Sequence, residues 1–466
     1  MIKNTFFESG NIALEFTNAE FGDPRLADRL KAMSMALMRD PSSSLPDVFG
    51  DSAGTEGCYR FLRNERVCFD AILLPHQQQT MRRAQLETEV LIVHDTSEFR
   101  FSSPRQDLGL MTGSKEGDGF YGHFSLALGG DNFKIPLGVI NTQLYIKKTK
   151  KGYRSPAAQR KDPTRKTLCW FEGVQQSQKK IKESAIHVMD READFFEHLS
   201  QLKDINARYV IRVCRDRWVN DEKTPLLYET LKKQEVRLER EVVVSKRAKS
   251  IFPNGQKDHP KREMRTARLI ATACQVELER GHHHPRALNK TIAINVVHVF
   301  EPSPPLGEEP VDWKLYTTQP IDSPEQISRV IDIYRARWTI EEYFKVLKTG
   351  CSYEERQLES KKTLTNLLGI FIPIAWMLLN LRSQARSCPS APANEVFSES
   401  QISILKIKTN LKKVAEPTVQ DVYRAVAALG GHLTQNGPPG WLVLWRGMKK
   451  LLNLQEGWEA RERCDQ

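Results

Sequence analysis

Through the first 85 or so residues, apolar positions recur at helical spacing among polar and charged ones, and Phe21-Gly22-Asp23-Pro24-Arg25 opens a helix with proline in its first turn. From Val90 the pattern changes to short β-type runs, at residues 90–94, 124–128, 135–146, 185–189 and 209–213. A helical stretch over about 167–182 separates the third run from the fourth. Three strands, a helix, a strand, a helix and a strand predict a mixed α/β sheet, and the hairpin-like opening excludes a purely parallel, doubly wound one. The chain then stays β-rich to Ser323, as an insertion at about 215–322 would. A long helix begins near Pro324, with Ser323 as N-cap and Gln326 completing a capping box.

Residues 364–381 carry no charge, but Asn366, Gly369, Pro373 and Asn380 interrupt them. The unbroken apolar part falls short of the ~20 residues that cross a bilayer, so a buried core helix is expected and no membrane partner. Residues 382–394 read as an exposed linker, and the remainder to 466 as helical. The chain thus divides into a helical amino-terminal domain (1–85), an α/β core with its β-rich insertion (86–385) and a helical carboxyl-terminal domain (386–466).

Charge changes the picture of what such a fold meets. Among 466 residues, 69 Lys and Arg stand against 58 Asp and Glu, a net charge of +11 that favours polyanions. Residues 144–166 hold nine cations against one acid, and residues 246–268 eight against two. Such loops suit phosphate-backbone contacts. The eight cysteines are dispersed with no Cys-x-x-Cys pair, which excludes a zinc knuckle and fits a reducing compartment. Residues 1–16 lack the apolar run of a secretory signal, so a cytoplasmic, nucleoid-associated protein is expected.

Two apolar runs lead into a carboxylate: Val90-Leu91-Ile92-Val93-His94 into Asp95, and Ala185-Ile186-His187-Val188-Met189 into Asp190. One strand-end Asp is ordinarily a helix cap; two from one sheet suggest more. On the long helix, Tyr334, Arg337, Glu341 and Lys348 follow at steps of three, four and seven, which keep them on one stripe, with Glu341 and Lys348 about 10 Å apart. Carboxylates from two strands and a helix can hold two Mg²⁺ ions, or Mn²⁺ in their place, because hard cations take oxygen ligands. Two such ions about 4 Å apart activate an attacking oxygen and stabilise a leaving one in phosphodiester displacement.

The run His94-Asp95-Thr96-Ser97, the run Asp190-Arg191-Glu192-Ala193-Asp194 and the Tyr334, Arg337, Glu341, Lys348 spacing together resemble the bacterial insertion-sequence DDE transposases with a Tyr-Arg-Glu-Lys signature. The resemblance extends from about Phe21 to Leu452 and takes in Gly22-Asp23-Pro24-Arg25, residues 56–64, Leu429-Gly430-Gly431 and residues 440–445. It implies an RNase H-like catalytic core, a β-rich insertion before the glutamate helix, and Asp95, Asp190 and Glu341 as metal-binding triad. It implies cut-and-paste chemistry on double-stranded DNA by a homodimer holding both inverted-repeat ends. Water cuts one strand, the freed 3′-OH attacks the other to form a hairpin, and the opened ends join target DNA.

The same resemblance gives DNA contacts to Tyr334, Arg337 and Lys348, and makes Trp313, 28 residues before Glu341, a platform for a flipped base. Arg212 and Trp338 would line that region, and Arg29 and Arg63 fall in the part that reads the DNA end. Gly281-His282-His283-His284-Pro285 departs from the family; three adjacent histidines cannot all face one metal, and a turn is expected there. Two other readings stay open on sequence alone: a catalytically silent DNA-binding regulator, and a two-metal nuclease that cuts without joining.

Overall fold

The computed structural model describes residues 12–102, 105, 107–111, 117–146, 165, 167–181, 184–221, 225–244, 263–433, 435 and 437–464. Most of both basic stretches lies outside the described residues.

Four helices come first: α1 (Pro24–Arg39), α2 (Leu45–Phe49), α3 (Ser52–Arg63) and α4 (Phe69–Ala84). The start of α1 is fixed as its sequence demands, since Asp23 accepts a hydrogen bond from the Arg25 N–H at 3.0 Å and Pro24 takes a position where no amide donor is needed. The sheet follows, with β1 (Val90–Phe101), β2 (Gly109–Leu110), β3 (Asp118–Gly129), β4 (Ile135–Tyr145), helix α5 (Leu168–Ile181), β5 (Ala185–Met189), α6 (Phe196–Asp204) and β6 (Tyr209–Arg212). After the short helix α7 (Leu227–Lys232) come β7 (Val236–Val244), β8 (Arg265–Glu279), β9 (Thr291–Phe300) and β10 (Asp312–Thr317). The chain closes with α8 (Pro324–Ala336), α9 (Trp338–Lys345), α10 (Lys361–Ser387), α11 (Glu399–Lys408), α12 (Val419–Leu429) and α13 (Trp441–Cys464).

Strand order is β4-β3-β1-β5-β6, with β3 antiparallel to β1 and to β4, and β5 and β6 parallel to β1. This mixed α/β arrangement, flanked by helices, is that of an RNase H-like core. The β-rich insertion does not fold apart from it: β10 pairs antiparallel with β6, and β9, β8 and β7 follow, so the described strands form one ten-stranded sheet.

Helix α10 is the axis of the core. Its apolar window is wholly buried inside the protein, as expected for residues 364–381. The polar interruptions attach it to its neighbours. Asn366 donates to the Leu62 and Val67 carbonyls at 3.0 and 3.3 Å, and at Gly369 an added Cβ would come within 3.0 Å of Ile72. The amino-terminal helices share this hydrophobic cluster with the sheet and the carboxyl-terminal helices.

Beneath it, buried Glu15 pairs with Arg83 at 2.7 Å and His76 at 2.5 Å. Burial alone would raise its pKa, but Arg83 and His76 hold it down to about 2.

Of the boundaries that differ from expectation, two bear on the site and its supports. Helix α10 continues through Arg382 and Arg386 to Ser387, so the predicted linker is shorter than 382–394. Both arginines lie 3.6 Å from Glu342, and Arg382 also stacks on Trp441, contacts that keep this polar stretch helical. Strand β1 runs on past His94 to Phe101 because β3 pairs with it along that length, which places Asp95 within the strand rather than at its end.

Candidate active site

Alternation along the strands decides which side chains share a face. Leu91 and Val93 on β1, and Ile186 and Val188 on β5, enter the cluster built around α10. Asp95, two residues further along β1, and Asp190, one residue past the end of β5 in backbone that is still extended, therefore emerge on that same face. The backbone pairing of β1 with β5 runs from Val90↔Ala185 to Val93↔Val188, so both carboxylates sit just past its end, where ligand crevices form in open sheets. Asp95 accepts from the Thr96 N–H at 2.7 Å, and Asp190 from the Glu192 N–H at 2.8 Å.

The third carboxylate arrives from the helices. Ser323 and Gln326 form the predicted capping box and start α8. The helical ladder tightens at Arg337, whose N–H reaches the Tyr334 carbonyl at 3.1 Å while its own carbonyl accepts from Ile340 at 3.2 Å. Helix α9 then carries Glu341 toward Asp95. Arg337 lies between the two, with Nη2 donating to Glu341 Oε1 at 2.7 Å and Nη1 standing 3.5 Å from Asp95 Oδ2. Burial, with repulsion from Asp190 and Glu341, pushes Asp95 up to about 7 against the pull of Arg337. Asp190 is likewise raised, chiefly by burial, with the Glu192 N–H and Arg337 opposing it.

The site therefore gathers three carboxylates and one guanidinium. An all-oxygen donor set of this kind matches the preference of Mg²⁺ and Mn²⁺. Among the described residues no three His, Cys, Asp or Glu side chains close around a single point, in keeping with Arg337 standing between Asp95 and Glu341.

The predicted stripe is only partly continuous. After Lys345 the helix widens into a π turn, Val346–Gly350, closed by the Cys351 N–H to the Val346 carbonyl at 2.9 Å. Lys348 consequently reaches β1, where it donates to the Glu98 carbonyl and pairs with Glu354 at 3.5 Å. Tyr334 is only 6% exposed, and its ring meets that of Trp313 edge-on at 5.6 Å. Trp313 and Leu315 share a face of β10, and Leu315 is the register partner of Arg212, so Arg212 and Trp313 flank the site from the same side. Trp338 is 54% exposed, with Arg337 and Lys345 each about one ring diameter away.

Arg29 and Arg63 are exposed on α1 and α3, away from the carboxylates; Arg63 is 3.6 Å from Glu359 and lies over Tyr59. His282, His283 and His284 form the expected turn, closed by the His284 N–H to the Gly281 carbonyl at 2.9 Å, and His284 packs on Phe196.

One residue escaped the sequence reading. Asp194, buried behind Asp190, accepts from the Cys214 and Arg215 N–H groups at 2.7 and 3.1 Å and ion-pairs with Arg217 at 2.6 Å. It ties the turn after β5 to the turn after β6, the two loops that frame the crevice. Its signal was the second aspartate of the Asp190–Asp194 run, four residues past the first.

Comparison with known proteins bears on both ends of this architecture. Residues 9–67 match the transposase DNA-binding family, and residues 171–377 match the transposase DDE domain. The second match begins after Asp95 and includes Asp190 and Glu341. Among solved structures the chain is similar to a piggyBac transposase synaptic complex with hairpin DNA, seen by cryo-EM, with 11% identity, 83% of this chain and 75% of that one covered, and a TM-score of 0.36. By the family matches, the chain carries a transposase DNA-binding domain followed by a DDE transposase domain.

Proposed function

We propose that the protein is a cut-and-paste DNA transposase of the insertion-sequence type with a Tyr-Arg-Glu-Lys signature. The observation that carries the reading is the approach of Asp95, Asp190 and Glu341 to one another around Arg337, on a sheet of RNase H-like order.

Asp95, Asp190 and Glu341 would hold Mg²⁺, or Mn²⁺ in its place; such ions supply Lewis acidity to the attacking and leaving oxygens of a phosphodiester. The remaining work falls to the chain. Arg337 balances the carboxylates and would meet a DNA phosphate beside them. Exposed Trp338 offers a stacking face, while Trp313 on Tyr334 forms a half-buried aromatic wall for an extruded base. Lys348 braces the β1 backbone beside Asp95 in addition to any DNA contact. Arg212 borders the crevice, and Arg29 and Arg63 lie on the helices within the match to the DNA-binding family.

In this reading water cuts one strand at the element's end, the freed 3′-OH attacks the opposite strand to leave a hairpin, and the reopened ends join target DNA. Two copies act in one synaptic complex, each on one end, in a bacterial cytoplasm. The net charge of +11 supports the DNA partner.

Incubation of the purified protein with Mg²⁺ and DNA bearing its element's inverted repeats tests this. Hairpinned ends followed by strand-transfer products are expected. Linear breaks without hairpins would assign a nuclease built on the same core, and binding without cutting a regulator.

A further inference from the structure

The sheet carries a second polar constellation, directly behind the carboxylates. His94 precedes Asp95 and His187 lies three residues before Asp190, so strand alternation sends both rings to the face opposite the active site. His94 Nε2 and His187 Nδ1 are 2.9 Å apart, and His94 Nδ1 is 3.1 Å from Ser125 Oγ on β3. His123 stacks on His94 with ring centroids 5.9 Å apart, and its Nδ1 is 2.9 Å from the hydroxyl of Thr96, the residue after Asp95. His94, His123, Ser125 and His187 are fully buried. Helix α5 seats closely on them: a Cβ on Gly173 would fall 2.9 Å from His123 Nε2 and 3.1 Å from His94 Nδ1.

Position gives this chain of hydrogen bonds its meaning. The backbone pairing of β1 with β5 ends at Val93↔Val188, yet the two carboxylates project from the residues just beyond. The His94–His187 bond, extended by Ser125 to β3, is a side-chain tie on the reverse face between His94, the first β1 residue past the ladder, and His187, which pairs with Ile92 inside it. Apolar side chains of similar size would fill the space without the desolvation cost of two imidazoles, so packing alone does not call for these residues.

We propose that the Ser125–His94–His187 chain is a positioning clamp that fixes the spacing of Asp95 and Asp190 for divalent-ion binding. The inference rests on the metal-holding role proposed above. Neither histidine touches the ions; each acts through the strand that carries its carboxylate. Groups that hydrogen-bond a metal ligand directly change its metal affinity by about ten- to a hundredfold when removed, and a tie that acts through the strand is expected at the low end of that range.

The test is Mn²⁺ binding to the full-length protein, followed by the loss of the free-ion electron paramagnetic resonance signal, with thermal melting measured in parallel. His187→Leu fills the space but cannot hydrogen-bond, and His187→Asn keeps a donor near the Nδ1 position. We expect His187→Leu to melt no lower than wild type yet bind Mn²⁺ about tenfold more weakly, with His187→Asn restoring most of the affinity. Ser125→Ala, a smaller change, is expected to weaken Mn²⁺ binding in the same direction should His187→Leu fail to fold. Wild-type affinity in folded His187→Leu or in Ser125→Ala would overturn the clamp, provided that Asp95→Ala abolishes binding. Binding that Asp95→Ala leaves untouched would instead overturn the metal role itself, and the clamp with it.

Discussion

Arg337 holds its guanidinium 3.5 Å from the Asp95 carboxylate while donating to Glu341 at 2.7 Å, and so supplies positive charge between these two acids. Removing one partner of a partly buried ion pair leaves the other uncompensated. Arg337→Gln is therefore expected to destabilise the protein without divalent ions by about 1–3 kcal/mol. Mn²⁺ should restore more stability to this variant than it adds to wild type. Denaturant melts with and without Mn²⁺ check this; an unchanged midpoint in metal-free buffer would contradict the counter-charge role.

Asp95 carries the pH dependence. Its folded-state pKa, about 7, stands above the ordinary 3.8, so the folded chain binds more protons than the unfolded one between those values. Stability from this group is full below about pH 4 and declines as pH rises through about 7. Asp95→Asn cannot ionise. It should be more stable than wild type at about pH 8 in metal-free buffer, by on the order of 2 kcal/mol, with the difference closing toward about pH 4. A difference independent of pH would show that Asp95 is ionised throughout.

The Glu15 network has the opposite sign. Glu15 is held down to about 2, so its contribution is present above its ordinary 4.5 and is lost as pH falls toward 2. Its partners Arg83 and His76 are buried with it, and Glu15→Gln should cost about 3–5 kcal/mol at neutral pH. Urea melts at neutral pH and near pH 3 should show the penalty shrinking in acid.

Much of this was legible beforehand, for reasons visible in single residues. Apolar strand runs announced β1 and β5, and Ser323 with Gln326 announced the start of α8, because caps and buried strands are written in local sequence. The end of β1 was not legible, since its extension to Phe101 depends on pairing with β3, a partner some 20 residues away. The π turn that redirects Lys348 also escaped: residue spacing assumes a uniform helix, and Val346–Gly350 is not one. The insertion's merger with the main sheet depends on an antiparallel match of β10 to β6, which no local pattern encodes.

Trp338 separates DNA contact from folding. At 54% exposure its ring contributes little to the core, and Arg337 and Lys345 stand beside it. Trp338→Ala is expected to weaken binding of a DNA end by about 1–3 kcal/mol with no change in melting temperature. Electrophoretic mobility shift titrations beside calorimetric melts measure both; a lowered melting temperature with full binding would make it a packing residue.

Cleavage by single carboxylate variants is the most direct test of the proposed active site. Asp95→Ala, Asp190→Ala and Glu341→Ala would each be incubated with an end-labelled inverted repeat and Mg²⁺, at protein concentrations that bind equal amounts of DNA. No first-strand nick is expected from any of the three, while wild type cuts. Undiminished nicking by even one of them would remove that carboxylate from the active site and contradict the three-carboxylate centre.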